Sequence, residues 1–130
     1  MKIVVEMPWG KNLSKNHNRL GPEAKRNYKP EVLAWMDRLG WEVKATMMAM
    51  GWRSLEPRVE VVVHFQYPDG RKRDDHNYYE TICDALKGVV GVDDDQIGIK
   101  TGSIVIDPCY PGFRIEIEER EDGGGKGERG

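Results

Sequence analysis

The period of the apolar pattern switches twice along the middle of the chain, and this limits the folds open to it. Over residues 59–67 the pattern has period two, with Val59, Val61, Val63 and Phe65 on one face and Val62 and Tyr67 on the other, as in a strand. Pro68-Asp69-Gly70 breaks that run. Tyr78, Ile82, Ala85, Leu86 and Val89 then recur at helical spacing, with Asn77 placed to cap the helix and Glu80 three residues on, as in a capping box. Gly88 and Gly91 are placed to fray or end it. Strand character returns at residues 97–106 and again at 113–117. In the second of these, Arg114, Glu116 and Glu118 alternate with Ile115 and Ile117 as in a half-exposed strand.

The N-terminal half completes the order. Ile3-Val4-Val5 reads as a first strand. Residues 9–29 are rich in Asn, Lys, Gly and Ser without an apolar period, a loop long enough to be functional. Pro30 suits the first turn of a helix, along which Val32, Leu33, Met36, Leu39, Val43, Met47 and Met50 follow at helical spacing until Gly51. Trp35, Trp41, Met47, Met48 and Met50 on that stretch serve either as core or as a face between two copies of the chain. The order β-α-β-α-β-β predicts an α+β fold, a small mixed β-sheet carrying two helices. Residues 1–119 form the expected domain, and the Gly-rich, charged residues 120–130 a flexible tail.

With 130 residues, the chain fits one domain and can build a core without staples. Its two cysteines, Cys83 and Cys109, form no CxxC pair, which excludes a zinc ribbon or a disulfide scaffold. No apolar run approaches the ~18 residues of a membrane helix. The N-terminus lacks the apolar segment of a signal peptide, so a cytoplasmic protein with no membrane partner is expected.

A net charge of −2 conceals a segregation of charge. Between residues 8 and 30 stand six basic residues, Lys11, Lys15, Arg19, Lys25, Arg26 and Lys29, against the single acid Glu23. Arg71-Lys72-Arg73 forms a second basic cluster. Acids gather at Asp74-Asp75, at Asp93-Asp94-Asp95 and over residues 116–122. Such segregation either builds a positive surface around a negative pocket or is an ordinary solvated surface.

The run Arg71-Lys72-Arg73-Asp74-Asp75-His76-Asn77 follows a strand and enters a helix, and Asp93-Asp94-Asp95-Gln96 lies just past that helix. Since a helix of ~14 residues is ~21 Å long, the two groups meet only if the chain folds back, or if the sheet or a second subunit joins them. Together they would offer the hard oxygen ligands that Mg²⁺ or Mn²⁺ takes. Basic neighbours would hold phosphate.

These strings, with Cys83-Asp84-Ala85-Leu86 late in the helix and Met7-Pro8-Trp9 before a loop containing Asn12, Asn16 and Asn18, resemble the RusA family of Holliday-junction resolvases over residues 3–118. The resemblance implies a small α+β subunit acting as a homodimer. It implies a structure-specific, divalent-metal-dependent endodeoxyribonuclease that resolves four-way or branched DNA by paired phosphodiester hydrolysis. Asp74 matches the family's first catalytic aspartate, and Asp94 the aspartate completing the metal site, with Asp93 or Asp95 beside it. His76 stands where the family has a second aspartate, and Glu80 where it has a lysine.

In an extended segment, Asp74 and His76 point to one side and Asp75 to the other, so His76 is placed to supply an imidazole ligand. Glu80, one helical turn on, is placed to orient that ring as an outer carboxylate, with Asn77 beside it. Such a site favours Mn²⁺ over Mg²⁺ more than an all-oxygen one. Lys11, Lys15, Arg19, Arg71, Lys72 and Arg73 are the candidate phosphate contacts. The rival readings are a junction-binding protein that no longer cleaves, and a partner-binding domain using Trp35, Trp41 and the methionines.

Overall fold

The computed structural model describes residues 2–20, 27–51, 58–90 and 97–120. Among them lie a four-stranded mixed sheet and two helices in the order β1 (Lys2–Pro8), α1 (Pro30–Ala49), β2 (Arg58–Tyr67), α2 (Tyr79–Val90), β3 (Ile97–Ile106) and β4 (Gly112–Arg120). A 3₁₀ turn, Asp75–Tyr78, leads into α2. The predicted element order and α+β class are as expected. The expected flexible tail, apart from its first residue, lies outside the described residues.

The sheet runs β1-β4-β2-β3. β4 inserts antiparallel between β1 and β2, and β3 pairs parallel with β2 after the crossover through α2. A parallel neighbour needs such a crossover, and the helix-period segment after Tyr67 provides it.

One face of the sheet is apolar. Ile3, Val5 and Met7 of β1, Val59, Val61, Val63 and Phe65 of β2, and Phe113, Ile115 and Ile117 of β4 are all buried there. Tyr67 joins this face, contrary to its expected place beside Val62, because strict alternation persists to the end of β2. Val32, Leu39 and Val43 of α1 and Ile82 and Leu86 of α2 close over it. Each such side chain contributes about 1.5–3 kcal/mol by leaving water. Leu33 and Met50, read from their spacing as part of the apolar helix face, are instead 46% and 44% exposed. Trp35 and Met47 are core, whereas Trp41 and Met48 stand in solvent.

The other sheet face is polar, with Glu6, Glu60, Glu116 and Glu118 placed by register beside Lys2, Lys100, Arg114 and His64. Acids balance or outnumber bases there.

Gly40 lies inside α1 where α2 crosses. A Cβ there would stand 3.1 Å from Val89 Cγ2, so the missing side chain sets how closely the helices approach. Gly88, expected with Gly91 to fray or end α2, lies in its last turn, and Gly91 lies outside the described residues.

Candidate functional site

The end of β2 and the start of α2 are joined by a basic turn fastened at Arg73. Its guanidinium lies 5.3 Å from the Trp9 ring centroid and 5.0 Å from that of Tyr67. It bonds the Asp69 carboxylate at 3.0 Å and the Asp69 carbonyl at 3.2 Å. Asp69 also accepts from the backbone N–H of Arg71 at 2.9 Å. The hydrogen bond from Arg73, then that from Arg71, holds the Asp69 carboxyl below its usual range. The arginine rests on an aromatic cluster in which Trp9 stacks on Phe113 at 5.0 Å and meets Tyr67 edge-on at 5.6 Å. Sequence patterning placed Arg73 among the phosphate contacts. In the fold its side chain is 12% exposed and engaged from two sides.

Asp74 follows in extended conformation and is exposed. Its carboxylate accepts from the backbone N–H of His76 at 3.0 Å, and its carbonyl accepts from Asn77 N–H at 3.0 Å. The residue capping the turn is therefore Asp74 and not Asn77, which lies inside the 3₁₀ turn.

The same turn alters the expected side-chain directions. Alternation stops at Asp74, because the chain coils tightly from Asp75 onward. Asp75 reaches the Thr101 hydroxyl on β3, which also lies 2.6 Å from the Tyr79 hydroxyl. The His76 ring stacks on Tyr79 at 4.8 Å. Glu80 does not orient it, since the one-turn spacing of an α-helix does not hold across a 3₁₀ turn. The two Glu80 oxygens instead face Arg19 at 3.2 Å and the Asn18 amide at 3.4 Å.

The long N-terminal loop closes over this turn. Lys15 N–H donates to the Asn77 carbonyl at 2.8 Å. Asn18, fully buried, donates to Thr81, whose hydroxyl donates to the Leu13 carbonyl at 2.7 Å. Further along, Tyr28 donates to Asp84, and Arg19 lies over the Tyr28 ring at 4.1 Å. Burial, reinforced by Asp84, pushes the Tyr28 phenol far above its ordinary value. Asp84 thus clamps the loop to α2. Arg19 is held in the same clamp, whereas Lys11, Lys15, Arg71 and Lys72 are exposed.

Loop and turn enclose a polar cavity of about 280 Å³ lined by Ser14, Asn16, His17, Arg71, Lys72, Arg73, Asp74, Asn77 and Tyr78. Asp74 is the one carboxylate among these lining residues, beside Arg71, Lys72 and Arg73. Ser14 and His17 carried no sequence signal, because a loop without periodicity gives no clue to what it will touch. A second cavity of about 490 Å³, between α1 and α2, contains none of the predicted site residues.

Asp93, Asp94 and Asp95 lie outside the described residues. Among the described residues no group of three or more His, Cys, Asp or Glu side chains is placed to share a metal ion. The Tyr67 hydroxyl is buried without a hydrogen-bond partner. Burial, with the charges of Asp75 and Asp74 among the further causes, pushes its pKa up to about 12, so it remains a donor at neutral pH. Among the described helices none is long and apolar enough to cross a membrane.

The family model described as Endodeoxyribonuclease RusA matches residues 8–118. No individually curated protein matches the chain.

Proposed function

The chain belongs to the RusA endodeoxyribonuclease family, and from that premise we propose that it is a divalent-metal-dependent nuclease that resolves four-way DNA junctions as a homodimer. The observation that carries the reading is the cavity in which Asp74 sits among Arg71, Lys72 and the loop bearing Ser14 and His17. A phosphodiester needs cationic partners for its oxygens and an acid nearby to hold a metal. This cavity supplies both.

Asp74, Asp94 and Asp93, with the imidazole of His76, are the proposed holders of Mg²⁺ or Mn²⁺. When bound, the ion would polarise the phosphodiester and activate a water. The chain's own residues do the rest. Arg71 and Lys72 bind the phosphate backbone, joined by Lys11 and Lys15 from the loop. Arg73 orients the turn from beneath through Trp9 and Tyr67. Two copies related by a two-fold axis would present two such sites to symmetric strands of a junction.

Incubation of the wild-type protein and Asp74→Asn with a synthetic four-way junction, in Mg²⁺ and separately in Mn²⁺, tests this. Paired symmetric nicks by the wild type alone support it. Absence of nicking in either ion overturns it.

A second reading, a junction-binding protein that does not cleave, draws on one observation. Glu80, at the family's lysine position, is engaged by Arg19 and Asn18 and brings no cation to the site. Junction binding without nicking in both ions would establish it.

A further inference from the structure

Residues 107–111 carry the chain from β3 to β4. Because the sheet runs β4-β2-β3, this loop crosses the end of β2, the strand from which the basic turn departs. Adjacent strands lie about 4.8 Å apart, so the loop spans roughly 10 Å and straddles Tyr67. It is tied down along that path. Asp107 N–H donates to the Tyr67 carbonyl at 2.8 Å, and the Pro111 carbonyl accepts from Trp9 N–H at 3.2 Å. The Asp107 carboxylate accepts from Tyr110 N–H at 3.1 Å. Pro108 and Pro111 restrict the backbone on either side, and a Cβ at Gly112 would collide with the Met7 carbonyl.

On this braced loop Tyr110 is 79% exposed. Single exposed aromatics are common on protein surfaces. This one lines a cavity of about 420 Å³ together with Met7, Pro8, Pro111 and Phe113, within the range of about 300–1,000 Å³ that small organic ligands occupy. Glu6 and Arg38 are the charged residues lining it, one of each sign. The Asp74 cavity, by contrast, sets Arg71, Lys72 and Arg73 against one acid. The basic cavity suits a phosphate, and the balanced one a neutral, flat ring.

We propose that this cavity receives an unpaired nucleobase at the DNA branch point, stacked on the Tyr110 ring. Within a duplex both faces of a base are covered by its neighbours, and a side chain stacks on a base only where that order is interrupted. A four-way junction interrupts it at the crossover. A base opened there meets an aromatic face whose place the loop has already fixed, so little ordering cost remains on binding. Stacking is indifferent to base identity, so Tyr110 distinguishes branched from linear DNA and not one sequence from another.

The two cavities stand at the same end of the sheet, and Trp9 links them. Its ring carries the Arg73 guanidinium at 5.3 Å, and its N–H holds Pro111. One strand can therefore be held by its phosphate at Arg71 and Lys72 and by a base at Tyr110. The inference rests on the junction-resolvase reading and gives that reading a source of preference for branched DNA.

The test is fluorescence anisotropy of the full chain in EDTA on a labelled four-way junction, on the same junction with abasic sites at the branch, and on a linear duplex. Circular dichroism checks folding, and nicking of the junction is followed in Mg²⁺ and in Mn²⁺. Tyr110→Ala is expected to weaken junction binding at least about fivefold, the lower end of what one base–aromatic stack contributes, and to leave duplex binding within about twofold. Tyr110→Phe, which keeps the ring, is expected to bind as the wild type does. On the abasic junction the wild type and Tyr110→Ala are expected to bind alike. If Tyr110→Ala matches the wild type on the intact junction, the proposal is overturned, and nicking by both leaves the resolvase reading standing without it. A loss of the same size on the duplex or on the abasic junction overturns it too. A loss confined to the intact junction, in a protein that nicks in neither ion, supports the base cavity while removing the nuclease reading. A wild type that binds neither junction nor duplex overturns both.

Discussion

The side-chain amide of Asn18 donates to the hydroxyl of Thr81 at 3.0 Å across 63 residues of sequence, and through it the long loop is fixed to α2. Thr81 passes the contact on to the Leu13 carbonyl. Thr81→Val keeps the shape and removes both bonds, leaving the buried Asn18 amide with only its longer contact to Glu80 and the Leu13 carbonyl without the Thr81 donor. The variant should lose about 1–3 kcal/mol of unfolding free energy in urea. Thr81→Ser should recover most of it. Loosening the loop should also lower junction affinity in a gel-shift titration.

Asp74 has two roles that substitution can separate. As a cap it accepts from His76 N–H, and asparagine caps as well as aspartate does. Asp74→Asn should therefore melt within a degree or two of the wild type while nicking falls at least a hundredfold. Asp74→Ala should lose nicking and also about 1 kcal/mol of stability. Thermal melts alongside nicking assays check both. Equal nicking by Asp74→Asn and the wild type would remove Asp74 from the chemistry.

How far the fold was legible depended on where sequence periodicity carries information. β2, α2 and β3 were readable because their periods switch cleanly. The 3₁₀ turn was not, since four residues offer no period, and with it went the pairing of His76 with Glu80 and the capping by Asn77. The basic cluster was legible as a cluster. Its division into exposed Arg71 and Lys72 and an engaged Arg73 depended on Trp9 and Tyr67, which are distant in sequence. The roles of Ser14, His17 and Asn18 were hidden for the same reason. Half of the proposed acidic site, Asp93 and Asp94, lies outside the described residues, so its convergence with Asp74 stands on the family resemblance.

That division of the basic run predicts two different phenotypes. Arg73→Ala removes a guanidinium held over two rings and bonded to Asp69. It should cost about 1–2 kcal/mol of stability, and Arg73→Lys should not restore it fully, because an ammonium lacks the planar fork. Arg71→Ala and Lys72→Ala should leave the urea midpoint unchanged. If each holds one phosphate, each should reduce the slope of log Kd against log salt by about 0.9. Fluorescence anisotropy on a labelled junction from 50 to 200 mM salt, roughly the range over which phosphate contacts are most visible, separates the two classes.

On the polar face of the sheet, Glu116 sits between Lys2 at 3.5 Å and Arg114 at 3.9 Å, with His64 Nε2 at 3.2 Å. His64 is tied from its other nitrogen to Ser103 at 2.8 Å. Partial burial tends to raise the Glu116 pKa, but Lys2, His64 and Arg114 together outweigh it and hold the carboxyl below its usual range. The unfolded chain therefore binds this proton more readily than the folded one. The resulting stabilisation is complete above the unfolded carboxylate pKa and is lost as pH falls through the lower folded value. Glu116→Gln should thus be less stable than the wild type near pH 7, and the gap should close as the wild type is acidified below about pH 4, the ordinary glutamate range. Urea unfolding of both proteins across that range checks the sign. A gap that widened toward acid would mean that Glu116 stabilises the fold through its protonated form, against the arrangement of cations around it.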